Sequence, residues 1–168
     1  MIRIALVCVS IVVSLVSLAA VIAAANEAFE RRPPPPDMRK KPSANDVPFT
    51  TIESGSNSGV NVRQGVTIKD QAEWLALWRK HTSDLQPPPP MPAVDFSNEM
   101  VIAVFSGERK SGGYSIQVDN IRLAGNRLIA MVSESNPAPD SINMMMITQP
   151  YHMVRLSKST LPVVFQGL

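Results

Sequence analysis

Met100-Val101-Ile102-Ala103-Val104-Phe105 is an unbroken apolar run, and Tyr114-Ser115-Ile116-Gln117-Val118-Asp119 after it alternates apolar with polar. A continuous run suits a strand covered on both faces, whereas period two suits a strand with one face toward solvent. Together they predict a sheet with a doubly buried central strand. A turn at Ala124-Gly125-Asn126 leads into Arg127–Ser133 and completes a hairpin. Val154 and Leu156 resume the alternation after Pro150, and Val163–Phe165 supply a last short strand. Upstream, Thr50–Ile52 and Val60–Ile68 read as strands flanking the Ser54–Gly59 loop.

One helix fits between these strands. Asp70 with Glu73 three residues on is a capping-box signature, and Ala72, Leu75 and Trp78, with Trp74 and Leu77, give apolar positions at helical spacing. Trp74 and Trp78 are four apart, so they share a face and read as the wedge that packs the helix onto a sheet. Pro87–Pro90 and Pro92 cannot continue a helix and predict an extended, stiff connector within the same core. The sum is an α+β fold, one helix packed on a mostly antiparallel, strand-rich or sandwich-like sheet.

The rest of the chain divides simply. Residues 4–25 carry no charge and follow Arg3, which predicts a signal peptide with cleavage after Ala23-Ala24-Ala25 or an uncleaved membrane anchor. Val7 before Cys8 is too bulky for lipoprotein processing. Residues 26–48 hold Arg31-Arg32-Pro33-Pro34-Pro35-Pro36 and Arg39-Lys40-Lys41-Pro42, a basic proline-rich linker that stays extended. Residues 49–168 form the folded domain. This order predicts an exported protein, periplasmic or at the cell surface. Were the anchor retained, the basic flank after it would favour the opposite orientation by positive-inside counting.

Composition removes several function classes. A net charge of +2 lacks the basic excess of a nucleic-acid binder. Cys8, inside the apolar segment, is the single cysteine, so the domain has no thiol for disulfides, cysteine-ligated zinc or nucleophilic attack. His81 and His152 fit no metal spacing: His81 reads as a cation at the end of the helix, and His152 as a packed histidine on the face of Val154 and Leu156. Met144-Met145-Met146 with His152 and Met153 is a soft-ligand set for copper(I), but alternation along a strand separates such neighbours, and methionine fills cores equally well. Asp95, Glu99, Glu108, Asp119, Glu134 and Asp140 are scattered, and only convergence in space would make an acid–base pair of them. No catalytic residue, metal site or cofactor is expected.

Two loops carry more information. Gly107-Glu108-Arg109-Lys110-Ser111-Gly112-Gly113-Tyr114 is expected to join adjacent strands and to bring main-chain amides to the surface beside an aromatic ring. Ile147-Thr148-Gln149-Pro150-Tyr151 sets a rigid proline before an aromatic. The partner-binding surface expected from them comprises Gly107, Ser111, Gly112, Gly113, Tyr114, Gln149, Pro150 and Tyr151; plain hairpin geometry is the competing explanation.

Val94-Asp95-Phe96, the apolar strand, Gly107, Ser111-Gly112-Gly113-Tyr114, Asn136-Pro137 and Thr148-Gln149-Pro150-Tyr151, in that order, resemble the C-terminal domain of the PrcB family over about residues 50–166. The family is named for an accessory subunit of a protease complex. The resemblance implies an exported bacterial envelope protein that associates with a protein partner, a protease among the candidates, and is not itself a peptidase. A looser likeness is to chagasin-type cysteine-protease inhibitors, which present a Gly-Tyr loop and a Pro-aromatic loop at one end of a β-sandwich. An envelope spacer tethered by its own N-terminus is the purely structural alternative.

Overall fold

A computed structural model of the chain describes residues 43–138 and 145–168. The N-terminal apolar segment, most of the proline-rich linker, Asp140 and Met144 lie outside the described residues. Among the described residues, seven strands and one helix run in the order β1 (Phe49–Gly55), β2 (Gln64–Ile68), α1 (Gln71–His81), β3 (Glu99–Phe105), β4 (Ser115–Leu123), β5 (Leu128–Ser135), β6 (Tyr151–Ser157) and β7 (Val163–Gln166). They build an antiparallel sheet of order β1-β6-β3-β2 and a second of order β4-β5-β7, in which β7 runs parallel to β5. The fold is therefore α+β, strand-rich and sandwich-like, as the sequence patterns predict.

Strand β3 sits inside the first sheet, and its alternation divides the molecule into layers. Met100, Ile102 and Val104 join Ile116, Val118, Ile121, Leu128, Ala130, Val132, Val154 and Leu156 between the two sheets. Val101, Ala103 and Phe105 join Ile68, Trp74, Trp78, Tyr151 and Met153 beneath the helix. A strand whose two faces are both buried must be apolar throughout, which is the physical reason for the unbroken run.

The helix begins where its cap places it. Asp70 accepts from Ala72 N–H and Glu73 N–H, both at 2.9 Å, and Glu73 reaches back to accept from Lys69 N–H at 3.0 Å. Such a cap stabilises by about 1 kcal/mol. The buried stripe is Trp74, Trp78 and His81 with Leu77 half-buried; Ala72 and Leu75 point to solvent, contrary to the face expected from spacing. The i, i+4, i+7 row of large rings outcompetes the smaller residues for the sheet.

The proline run lies along this helix. Trp74 Nε1–H donates to Pro92 O at 3.0 Å and Trp78 Nε1–H to Pro89 O at 3.3 Å. Proline has a carbonyl but no N–H, and an extended run leaves its carbonyls free of internal bonds, so they serve as acceptors for buried indoles.

Two further differences concern connections. Residues 45–47 belong to the folded unit: Leu123 N–H donates to Asn45 O at 2.8 Å and Val47 N–H to Ile121 O at 2.7 Å, so the chain entering β1 pairs first with β4. The strands flanking Ser54–Gly59, β1 and β2, occupy opposite edges of their sheet. Val60 is buried in the layer beneath the helix, ahead of β2.

Candidate functional site

The segment Gly107–Tyr114 joins β3 to β4, strands of different sheets, so it is a crossover between layers and not a turn between adjacent strands. Residues 145–150, which lead into β6, lie at the same end of the sandwich. The two meet as a short antiparallel bridge: Arg109 N–H donates to Thr148 O at 2.8 Å, and Thr148 N–H to Arg109 O at 3.0 Å. Thr148 Oγ1–H donates to Ser111 O at 2.9 Å. Gln149 N–H donates to Ser56 O and Ser106 N–H to Pro150 O, which ties the bridge to the ends of β1 and β3 at one end of the first sheet.

Gly107 begins the crossover at φ +75°, and a Cβ there would lie 2.8 Å from Arg63 N. Only glycine fits both conditions. Gly113 ends it at φ +85°.

Glu134 on β5 anchors the bridge electrostatically. Its carboxylate accepts from Arg109 Nη2 at 2.9 Å and lies 3.3 Å from Arg63 Nε. Arg109 also donates from Nε to Ser106 Oγ at 2.8 Å, and its guanidinium stacks over the Tyr114 ring at 5.4 Å. The planar fork of arginine permits these contacts together, which a lysine could not reproduce.

Of the expected surface, Gly113 is exposed and Ser111, Gly112, Tyr114 and Gln149 are half-buried. Gly107, Pro150 and Tyr151 are buried, so they line the loops from beneath. Beside the bridge, Met145, Met146 and Ile147 are exposed at 90%, 42% and 58%. That apolar patch is visible in the sequence as a methionine run, yet it reads there as core filler or copper ligand. The copper set does not assemble among the described residues. Met153 is buried under the helix, Met145 points to solvent, and both ring nitrogens of His152 are engaged. No group of three or more His, Cys, Asp or Glu suited to a metal occurs among the described residues.

His152 bridges the sheets. Val118 N–H donates to its Nδ1 at 2.9 Å, which leaves Nε2–H to donate to Thr51 Oγ1 at 2.9 Å. Burial holds this imidazole below its ordinary 6.5, with Asp119 pulling partly the other way.

His81 is the larger departure. It is 1% exposed, and not the solvated cation expected at the helix end. Its Nδ1 lies 2.9 Å from Ser58 Oγ and its Nε2 lies 3.6 Å from Glu53 Oε2. A carboxylate only accepts, so the proton belongs on Nε2 and Ser58 donates to Nδ1. Burial lowers the His81 pKa, Glu53 opposing it, and burial followed by Glu53 raises that of Tyr151, whose ring packs edge-on to His81 at 4.4 Å.

A serine–histidine–carboxylate chain activates a hydroxyl when a substrate carbonyl can reach it. Here Ser58 is 4% exposed, and its oxygen also accepts from Val60 N–H at 3.1 Å. Trp78, Phe105 and Tyr151 enclose the imidazole. The chain of bonds ties β1 and the turn after it to the helix end. Residues 53, 58 and 81 show no motif spacing, so nothing in the sequence signals their meeting.

The scattered acids are occupied locally. Asp95 accepts from Asn98 Nδ2 at 2.8 Å and Ser97 N–H at 3.0 Å, which lowers its pKa, the reverse of what a general acid needs. Asp119 accepts from Gln117 and Ser133, and Glu99 from Asp95 N–H.

No helix among the described residues is long and apolar enough to cross a membrane. No curated protein and no solved structure matches the chain. Residues 100–157, which run from β3 through β6 and include both loops, match the family described as PrcB C-terminal.

Proposed function

We propose that the chain is an exported, non-enzymatic accessory module that grips a protein partner, a protease in the leading case, through the surface at the Arg109–Thr148 bridge. The observation that carries this reading is the bridge itself. Mutual hydrogen bonds fix the β3–β4 crossover beside the segment that leads into β6, with Tyr114 and the exposed Met145, Met146 and Ile147 next to them. Exposed methionine adapts to a partner's contours, and a prearranged loop pair loses little entropy on binding. The family's description, after a protease-complex subunit, supports the partner class. Enclosure of the Ser58–His81–Glu53 chain supports the non-enzymatic role, and the apolar residues 4–25 support export.

A photo-crosslinking residue at Met145 in the full chain, expressed in its own cell, tests the reading. We expect a discrete adduct with another protein that a crosslinker at Asn126, at the far end of β4, does not give. Equal adducts from both positions would refute the surface. The inhibitor-like alternative draws less support, because the Pro150-Tyr151 pair it would present is buried.

A further inference from the structure

A second surface, apart from the loop pair, lies at the outer edge of β2. This strand borders only β3, so every second residue directs its N–H and C=O outward, and between Gln64 and Ile68 those outward groups bond to no described residue. On the helix side of the edge runs a groove of about 360 Å³, lined by Val66, Ile68, Ala76 and Leu77, with Glu73 at one end and Lys80 at the other. The Glu73 carboxylate already accepts from Lys69 N–H, whereas Lys80 is exposed and forms no ion pair. From the opposite face the Phe165 ring packs against Gly65, where a Cβ would lie 2.6 Å from it, so the edge is backed and held in place.

We propose that this edge and groove dock an extended segment of a partner protein, which adds as a strand beside β2, sinks alternate apolar side chains toward Val66, Ile68, Ala76 and Leu77, and sets an acidic residue against Lys80. Unsatisfied strand groups select an extended backbone, because only a strand matches their spacing. The period-two groove beside them selects small apolar side chains at every second position. A second copy of this chain pairing through its own β2, Gln64-Gly65-Val66-Thr67-Ile68, brings no acid from that strand to Lys80, so an acid on the docked strand marks a different chain. Five residues in β2 call for a ligand segment about 17 Å long.

Panning the full chain against a random heptapeptide display library tests this. We expect enrichment of alternating apolar peptides carrying Asp or Glu, at least tenfold weaker binding of the winners to Ala76→Trp, and a switch to Lys- or Arg-bearing peptides with Lys80→Glu. Both sites are exposed on α1, so melting curves matching the parent verify that the fold is kept. N-methylation of alternate amides in a winning peptide should abolish its binding. Failure to enrich above the Ala76→Trp variant, or winners indifferent to both substitutions, would overturn the proposal. So would sedimentation showing a dimer of the parent chain that Ala76→Trp dissociates. None of these readouts involves Tyr114 or Met145, so the loop reading stands or falls separately.

Discussion

The two buried layers share a strand yet are made of different chemistry. Between the sheets, the buried apolar side chains are aliphatic or methionine, with Phe49 and Phe165 half-buried at the margin, and His152 is the one buried imidazole among the described residues there. Beneath the helix, the space is filled by Trp74, Trp78, Phe105, Tyr151 and His81, with Pro92 O and Pro89 O accepting from the two indoles, Ser58 bonded to His81 Nδ1 and Glu53 charged beside His81 Nε2. Two sheets face to face interleave branched side chains at even spacing. A single helix on a sheet leaves deeper, uneven gaps, which large rings fill, and each ring that carries N–H or O–H then needs a partner. The first layer asks only for shape, whereas the second asks for shape and hydrogen bonds together.

The largest test of this contrast is truncation. Trp74→Ala should destabilise the domain by about 3–5 kcal/mol through lost burial and cavity, and Ile102→Ala by about 2–5 kcal/mol. Conservative replacements separate the layers: Ile102→Val should cost about 0.5–1.5 kcal/mol as lost volume. Trp74→Phe should lose about 1 kcal/mol of hydrogen bonding to Pro92 O in addition to its packing loss. Urea melts of the four variants measure this; a Trp74→Phe loss no greater than that of Ile102→Val would erase the distinction.

A comparably sharp contrast exists between glycines. Gly107→Ala meets both a positive φ and a backbone atom at 2.8 Å, and should cost about 2–4 kcal/mol. At Gly125, φ is +60° but no atom lies within 4 Å of a Cβ, so Gly125→Ala should cost only about 1–2 kcal/mol. Equal losses in thermal melts would mean that the crossover relaxes and that the loop pair is less fixed than its hydrogen bonds imply.

Acid should weaken both layers at once. His81 and His152 both titrate below 6.5 in the folded chain, chiefly through burial, so the unfolded state binds more protons between those depressed values and 6.5. Stability present above that pH is then lost as pH falls through the window, by at most about 1.4 kcal/mol per pH unit for each histidine. His81→Gln and His152→Gln should each remove part of this slope in denaturation at pH 7 and pH 5. An unchanged slope in His152→Gln would place the whole effect beneath the helix.

What could be read from the sequence follows the same division. Period two and the apolar run mark the inter-sheet layer residue by residue, because a sheet imposes its spacing locally. The helix cap at Asp70 is equally local. Meetings across the fold leave no such trace: Glu53, Ser58 and His81 come together only when β1 and the helix end pack, and Arg109 finds Thr148 only when connections between different sheets cross. Gly107 and Pro150-Tyr151 are recognisable as unusual, but composition alone does not distinguish a residue that shapes a loop from one that a partner touches.

Tyr114→Ala should have the smallest effect on folding and the greatest on assembly. The ring is half-buried, and its contact with Arg109 is worth about 0.5–1 kcal/mol at an exposed site. Arg109 keeps Glu134 and Ser106 when the ring is gone, so the bridge to Thr148 should persist. Near-parental melting together with loss of the Met145 crosslink would assign the ring to recognition. A loss of stability beyond about 2 kcal/mol, with crosslinking retained, would instead make Tyr114 part of the support for the loop pair.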